Sequence, residues 1–393
     1  MSSMSDLQTL AARIKDEASR LGFDLAGIAP CERSPHADYY REWLAADRHG
    51  EMQYLARPDA VQRRLDPPAE LRSAIVVGLN YYNESDGEGE GENVGIIARY
   101  ARGRDYHKVI KRKLLSLLDW LEHETGQTLP AARAYVDTGP VLERELAQRA
   151  GLGWFGRNTM LINPRQGSYF FLGVLLVELK LTHDEPFTAD HCGSCQACIT
   201  ACPTGALLGR DQTGAPVMDA TRCISYLTIE HRGPIPRELR SLIGNRIFGC
   251  DICQEVCPWN SPKFVQITRE ASFLRGSSEL RRDLISLMEM DEAEWDRFSR
   301  GSAIRRAKRS GFLRNVAVAL GNSGDPKAVP ALAGALRDVE PLVRGHAAWA
   351  LGTIGSAEAR NVLIHRLQQE TDGYVREEID CALSGLESDY PRA

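Results

Sequence analysis

The sequence lacks any apolar run long enough to cross a membrane. Its longest candidate, Phe170 to Leu181, is strand-sized, whereas a spanning helix needs about 20 apolar residues. The opening stretch, Met1 to Phe23, has no hydrophobic h-region and no twin-arginine signal. It reads instead as an amphipathic helix with Leu7, Leu10, Ala11, Ile14, Ala18 and Leu21 on one face. A P-loop and a lipidation signal are also missing. These absences argue against export and membrane attachment, and predict a cytoplasmic chain whose thiols stay reduced. Cysteine is nearly absent outside one stretch: of ten, only Cys31 and Cys381 lie beyond residues 192 to 257, and both read as ordinary thiols. One sign of charge is missing twice. Residues 84 to 92 hold five acids and no base, which reads as a solvated loop, and residues 297 to 314 hold seven bases and no acid. Composition is otherwise that of a soluble globular protein, with 43% hydrophobic and 26% charged residues and a net charge of -5 over 393 residues, enough for two or three domains.

What is present is a dense cysteine pattern. Cys192-x2-Cys195-x2-Cys198-x3-Cys202-Pro203 is followed by Cys223 and then by Cys250-x2-Cys253-x3-Cys257-Pro258. The first run matches bacterial ferredoxins, in which the closing Cys-Pro thiolate ligates the other [4Fe–4S] cluster. Soft thiolates suit cluster iron and offset much of its charge. The crosswise rule assigns Cys192, Cys195, Cys198 and Cys257 to one cluster, and Cys202, Cys223, Cys250 and Cys253 to a second. A structural zinc site would be filled by four thiols, so eight overfill it. Disulfides disagree with the missing secretory signal.

Ahead of the cysteines, strands are expected at Leu25 to Ala29, Ser73 to Leu79, Ile96 to Tyr100, Arg133 to Val136 and Phe170 to Leu179. Helices are expected around Tyr39 to Leu55, Tyr106 to Glu124 and Val141 to Ala150. That alternation predicts an α/β or α+β domain over residues 1–183, followed by the cluster module at 184–265. Gly151-Leu152-Gly153-Trp154-Phe155-Gly156 fits G-x-G-x-x-G but follows a helix rather than a strand, so it reads as a helix stop and tight turn. Asp105-x-His107 resembles the start of the D-x-H-x-x-G cobalamin motif, but Ile110 stands at its glycine. His107 therefore reads as a helix-terminal or packing residue.

Residues 266–393 change character. Asn315 to Gly321 (NVAVALG) recurs as His346 to Gly352 (HAAWALG), and Cys381-Ala382-Leu383 starts a third copy. The leucines stand 31 and 32 residues apart. This spacing marks a HEAT-like helical repeat. Such arrays are binding surfaces, and the basic run leads directly into this one. Together they point to a polyanionic partner, a nucleic acid.

One-electron clusters in so long a chain are expected to feed a reaction centre in the same chain. Asp137 is the strongest candidate acid: it sits at a strand end before Thr138-Gly139-Pro140 and a helix start. The alternative is a helix N-cap.

The chain resembles the epoxyqueuosine reductases. The resemblance is carried by Val136-Asp137-Thr138-Gly139-Pro140-Val141-Leu142-Glu143-Arg144, by Gly153-Trp154-Phe155-Gly156-Arg157-Asn158, and by Gly167-Ser168-Tyr169-Phe170-Phe171-Leu172-Gly173. The eight cysteines and Ile243-Gly244-Asn245-Arg246 add to it, and it runs from about residue 5 to 388. It implies a nitroreductase-like, cobalamin-binding α/β domain with base-off cobalamin, and electrons passing through two [4Fe–4S] clusters to cobalt. The reaction implied is removal of the epoxide oxygen of epoxyqueuosine at the tRNA wobble position as water, with Asp137 as proton donor. A desolvating site that raises the Asp137 pKa would suit that role.

The same resemblance places Arg57, Ala98, Asn158, Ile162, Ser168, Leu172 and Ser225, with Asp137, around the corrin or its tail. Arg144, Arg232 and Arg240 fall near the nucleotide or its phosphates. It also implies a monomer served by an external low-potential donor such as flavodoxin or ferredoxin. Ser225 beside Cys223 puts the cluster of Cys202, Cys223, Cys250 and Cys253 next to cobalt. Two other classes remain open on sequence grounds. One is a corrinoid reductive dehalogenase, disfavoured by the missing export signal and by the helical tail. The other is an electron-transfer protein without its own active site.

Overall fold

The computed structural model describes residues 4–83, 93–274 and 283–388. The acidic stretch Glu84 to Glu92 lies outside the described residues. The chain forms two compact units, each assembled from separate segments. The first comprises Met1–Glu84, Gly103–Ala220 and Asp251–Arg275; the second comprises Ser85–Arg102, Thr221–Cys250 and Gly276–Ala393.

Four strands carry the first unit: β1 (Leu25–Pro30), β2 (Ser73–Asn80), β3 (Arg133–Tyr135) and β4 (Phe170–Val177). They lie in the order β1-β2-β4-β3, and every neighbouring pair is antiparallel. An antiparallel sheet between helices decides for α+β over α/β. All of β2 is buried because helices cover both faces. On one face, Ile110 and Leu114 of helix Tyr106–Thr125 close over Gly173, leaving no room for a Cβ there. On the other, Leu146, Ala147 and Ala150 pack with Ala74, Val76, Val174 and Leu176. Neighbouring residues of a strand face opposite ways, so the run SAIVVGLN serves both layers. Ile14 and Ala18 of helix Met4–Arg20 are fully buried, as the apolar spacing predicts.

Two local expectations change. The helix expected from Tyr39 to Leu55 splits into Ala37–Ala45 and Gln53–Ala56, because Asp47 and Gly50 adopt positive φ between them. The strand expected from Ile96 to Tyr100 is confined to Ile96–Ile97. Its parallel partner, Arg246–Phe248, offers only three residues, after which Arg99–Ala101 turns into a 3-10 helix. Gly151 stops a helix at φ 74°, and Trp154–Phe155 then pairs with Leu161–Ile162. The glycine string is thus a turn into a hairpin.

The second unit is built on helices Lys308–Ser323, Val329–Ala335, Pro341–Ile354, Ala357–Leu367 and Gly373–Ser388. Its repeated Ala-Leu-Gly step has a packing cause. A Cβ on Gly321 would lie 2.9 Å from the Cα of Ala350. One on Gly352 would lie 2.5 Å from the Cβ and 2.9 Å from the Cα of Ala382. Successive repeats approach at their glycines, and backbone, not a flexible side-chain tip, blocks any substituent. Gly352→Ala should therefore lower stability by about 1–2 kcal/mol, overpacking outweighing the gain in helix propensity. An unfolding midpoint equal to or above that of the wild type would contradict this packing role.

Candidate functional site

Asp137 stands just past the end of β3 with φ 59°, a left-handed backbone that few non-glycine residues adopt. Gly139 follows because any Cβ there would strike the ring of Tyr135. Strain of this kind costs about 1–3 kcal/mol and concentrates at working sites. The next helix, Glu143–Arg149, is capped at Leu142, so Asp137 is not its N-cap. Its carboxylate is instead met by the start of helix Tyr106–Thr125. Tyr106 Oη donates to Asp137 Oδ2 at 3.1 Å, and His107 Nε2 lies 3.5 Å from the same oxygen. Asp105 fixes this end of the helix: its Oδ1 accepts from the His107 backbone N–H at 3.1 Å and lies 2.7 Å from His107 Nδ1. Tyr106 is stacked between His107 and Phe171, at centroid distances of 4.0 and 4.1 Å.

The electrostatics reverse one expectation. Burial acts to raise the Asp137 pKa, but the hydrogen bond and charge of His107, with the Tyr106 bond, hold it below the usual carboxylate range. Burial likewise acts to lower His107, and is outweighed by its bonds to Asp105 and Asp137, which raise it to about 9. The pair therefore rests as carboxylate and imidazolium at neutral pH. Sequence reading missed this because it took His107 as a helix-terminal or packing residue and Tyr106 only as the start of a helix; the usable signal was an Asp-x-His at a helix start. Asp137 is 68% exposed, so its carboxylate is open to solvent beside Tyr106 and His107. Arg144 shares that character: it is exposed, and its guanidinium donates to the carbonyl of Thr159, itself at φ 63°. Glu143 also enters this environment, and its Oε1 is buried without a hydrogen-bond partner.

The other predicted residues of the first unit have different local settings. Arg57 is exposed on the surface, 3.9 Å from Asp59. Asn158 is buried and donates to the carbonyl of Cys253 at 3.1 Å, while Ile162 is buried in the hairpin. Ser168 is fully enclosed: its hydroxyl accepts from Gln254 at 3.0 Å and from Asn260 at 2.9 Å, tying the cysteine-bearing segment to the end of β4. Leu172 is half-buried within β4, opposite Gly78. In the second unit, Ala98 is buried with no room for a Cβ on Gly249 beside it, and Ser225 is half-buried.

The cysteines are all unbridged. Cys198 is raised by burial and then by the neighbouring charges of Cys192, Cys257 and Cys195. Cys257 is raised by burial and by Cys192 and Cys195. These four thiols, 65 residues apart at the extremes, thus share one neighbourhood. Among the described residues no three His, Cys, Asp or Glu side chains converge on a single-ion site. Cys202 and Cys253 belong to the first unit, Cys223 and Cys250 to the second.

The basic residues divide sharply. Arg240, expected near the nucleotide, is 1% exposed and forms a two-pronged pair with Glu378 at 2.7 and 2.9 Å, with the Trp349 ring 5.5 Å away. It is a core residue, because two segments far apart in sequence enclose it. Arg232 is exposed and donates to the carbonyls of Arg306 and Ala307. Within the basic run, Arg314 is buried and donates to the carbonyls of Leu227, His231 and Gly233. Arg300 and Arg305 share Asp296, Arg306 pairs with Glu230, and Arg309 with Asp338. Only Arg297 and Lys308 are exposed and without an ion pair among the described residues. Most of the run is exposed but locally neutralised by ion pairs, which composition alone could not reveal.

Three family models match: "Epoxyqueuosine reductase QueG, DUF1730" over residues 64–138, a 4Fe-4S double cluster binding domain over 191–260, and HEAT repeats over 301–384. The chain is 42% identical over 359 residues to the epoxyqueuosine reductase of Vibrio cholerae, covering 88% of this chain and 92% of that one. It is 39% identical over 373 residues to the Escherichia coli enzyme, covering 94% and 95%. Among solved structures, a selenomethionine-labelled epoxyqueuosine reductase superposes with a TM-score of 0.86 at 30% identity, covering 97% of this chain and all of that one. An epoxyqueuosine reductase crystallised with an epoxyqueuosine-modified tRNA-Tyr stem loop gives 0.85 at 29% identity, covering 97% and 100%. No helix among the described residues is long and apolar enough to cross a membrane. A double-cluster cysteine module and a helical repeat, on a sequence and fold shared over nearly the whole length, place this chain in the epoxyqueuosine reductase family.

Proposed function

We propose that this protein reduces epoxyqueuosine at the wobble position of tRNA to queuosine, using cobalamin and two [4Fe–4S] clusters. The observation that carries the reading is the solvent-exposed Asp137 carboxylate met by Tyr106 and His107, within a chain 42% identical to a reductase of that name. Residues 1–183 would hold the reacting centre, 184–265 the clusters, and 266–393 the repeats. Cys192, Cys195, Cys198 and Cys257 ligate one cluster; Cys202, Cys223, Cys250 and Cys253 ligate the other, the nearer to cobalt. The residues fit a base-off corrinoid: both ring nitrogens of His107 are engaged by carboxylates, so it is not free to bind cobalt. Arg57, Ala98, Asn158, Ile162, Ser168, Leu172 and Ser225 would line or support the corrin. Cobalamin, when bound and reduced, supplies the electrons that remove the epoxide oxygen.

The protein's own part is the handling of protons. Opening the epoxide leaves a basic oxygen, and the solvent-exposed Asp137 carboxylate would face it. Because the His107–Asp137 pair rests as an ion pair, the proton that Asp137 delivers is stored on His107 and passes through the carboxylate as the oxygen leaves. Tyr106 holds the same Asp137 oxygen that faces His107. Arg144 and Arg232 contact the nucleotide or its phosphates, and Arg240 does not. A low-potential donor such as flavodoxin or ferredoxin supplies electrons to a cytoplasmic monomer.

The test is anaerobic incubation of the reconstituted protein with an epoxyqueuosine stem loop and a chemical reductant, followed by nucleoside mass spectrometry. Conversion should appear as the loss of one oxygen atom from the modified base. Unchanged substrate from protein carrying both cofactors would refute the reading.

A further inference from the structure

The first cysteine run is gripped from outside by a hairpin. Strands Trp154–Phe155 and Leu161–Ile162 are joined by a turn in which the Thr159 N–H donates to the Gly156 carbonyl at 2.9 Å, and the Gly156 N–H to the Met160 carbonyl at 2.8 Å. From this turn Arg157 donates its Nη2 to the carbonyl of Gly193 at 2.7 Å. Gly193 lies between Cys192 and Cys195 at φ 51°, in a turn closed by the Cys195 N–H on the Cys192 carbonyl at 3.0 Å. The hairpin is also held to the cysteine segments through Asn158, which donates to the Cys253 carbonyl at 3.1 Å, and through Trp154, whose ring lies 4.9 Å from His191 and 5.1 Å from Trp259.

Charge at the Cys192–Cys195 turn does not cancel. Asp190 accepts from the Cys192 N–H at 2.8 Å and pairs with Arg210 at 2.9 Å, so those two side chains neutralise each other. Arg157 is half-buried and has no ion pair among the described residues, and its Nε is buried without a hydrogen-bond partner. An enclosed guanidinium N–H without an acceptor is costly, and an unpaired buried cation more so. A cluster carried on four thiolates is an anion, and it is the countercharge that this turn lacks.

We infer that Arg157 sets the reduction potential of the cluster held by Cys192, Cys195, Cys198 and Cys257, its uncompensated charge, pinned to the backbone between two of those ligands, favouring the reduced state. This rests on the ligand set and electron path proposed above. Arg157 is a positioning residue: it acts through the cluster and takes no part in proton transfer to the substrate. The sign follows from Coulomb's law. An electron entering the cluster adds one unit of negative charge while the thiolates stay in place, so a fixed positive charge nearby stabilises the reduced form more than the oxidised one. The step is a one-electron exchange in which the external low-potential donor is oxidised and the cluster reduced. No bond forms or breaks, and no proton moves. A cluster made easier to reduce is filled more completely by a given donor, which is what a relay ahead of a reacting centre needs.

The experiment compares wild type, Arg157→Gln, Arg157→Lys and Asp190→Asn as full-length, cofactor-loaded proteins. Each is taken through an anaerobic redox titration followed by electron paramagnetic resonance, without substrate, and iron content is measured in parallel. Arg157→Gln keeps an N–H donor for the Gly193 carbonyl and removes the charge. At a fixed solution potential its ratio of reduced to oxidised cluster should fall roughly tenfold, which is about 59 mV in the midpoint of a one-electron couple. Arg157→Lys keeps the charge and should titrate with wild type. Asp190→Asn leaves Arg210 without its carboxylate and should move the same midpoint upward. The midpoint of the other cluster should stay in place in all four proteins. Equal midpoints in wild type and Arg157→Gln at full iron content, an Arg157→Lys midpoint displaced as far as that of Arg157→Gln, or a downward shift in Asp190→Asn would overturn the inference. Should Arg157→Gln lose the cluster, Arg157→Lys and Asp190→Asn decide by the same signs. A reconstituted wild type without any [4Fe–4S] signal would instead refute the cluster reading, and the inference with it.

Discussion

Asp137→Asn is expected to keep both clusters and the corrinoid while losing turnover by about 10²–10⁴-fold, the range that a single general acid contributes. The substitution preserves shape and tolerates the left-handed backbone at φ 59°, since asparagine adopts that region as readily as aspartate. What it removes is the carboxylate that passes a proton from His107 to the leaving oxygen. Absorbance of the cofactors and stem-loop binding should therefore match wild type, with the loss confined to kcat. Comparable turnover in the variant would remove Asp137 from the proposed role.

The pH dependence carries a second signature. His107 is raised from 6.5 to about 9 by its two carboxylate partners. A raised histidine stabilises the folded state fully below its ordinary value, and that contribution disappears as pH rises through the folded value. Wild-type activity should accordingly show a decline through about 9, where His107 loses the proton it stores. Asp137→Asn removes one of the two carboxylates, so the His107 midpoint, followed by NMR, should move down toward 6.5. A midpoint unmoved by the substitution would show that the two side chains are not coupled.

The largest stability effect should come from the buried pair that sequence reading mistook for a nucleotide contact. Glu378→Ala leaves the Arg240 guanidinium enclosed at 1% exposure, with only the Ile235 carbonyl at 2.8 Å and the Trp349 face as partners. Breaking a buried pair from one side costs about 3–5 kcal/mol, because the surviving charge is desolvated and unpaired. In a unit of this size that corresponds to a fall of about 10 °C in the unfolding temperature of the repeat region. Replacing both partners, Arg240→Met with Glu378→Leu, should recover most of the loss. His346 beside them is neutral, since burial and the charges of Arg240 and Arg314 depress it, and its Nε2 accepts from the Ile235 N–H at 3.2 Å. A Glu378→Ala protein as stable as wild type would show that the pair contributes nothing to the repeat core. Equal tRNA affinity in the doubly substituted protein is the matching expectation on the binding side.

How much was legible before folding follows from the range of each interaction. The cluster module was readable because ferredoxin spacing is a local pattern, and a 4Fe-4S double cluster binding domain matches residues 191–260. The repeats were readable because the Ala-Leu-Gly step recurs at a fixed period, and Gly321 and Gly352 show why: neighbouring layers leave no space for a side chain. Asp137 stood out by its place between strand and helix. Its chemistry did not, since the proton state depends on Tyr106 and His107, some 30 residues earlier, which only the packing of a helix start against a strand end brings within reach. The same holds for charge. Seven bases in a row looked like a surface, yet Arg314 and the pairs to Asp296, Glu230 and Asp338 are internal or locally neutralised. Spacing along the chain thus determined the cluster module, the repeat and the family. Which charges are buried, which are paired and where the protons rest were decided by the tertiary structure, because desolvation and Coulomb energy depend on neighbours in space.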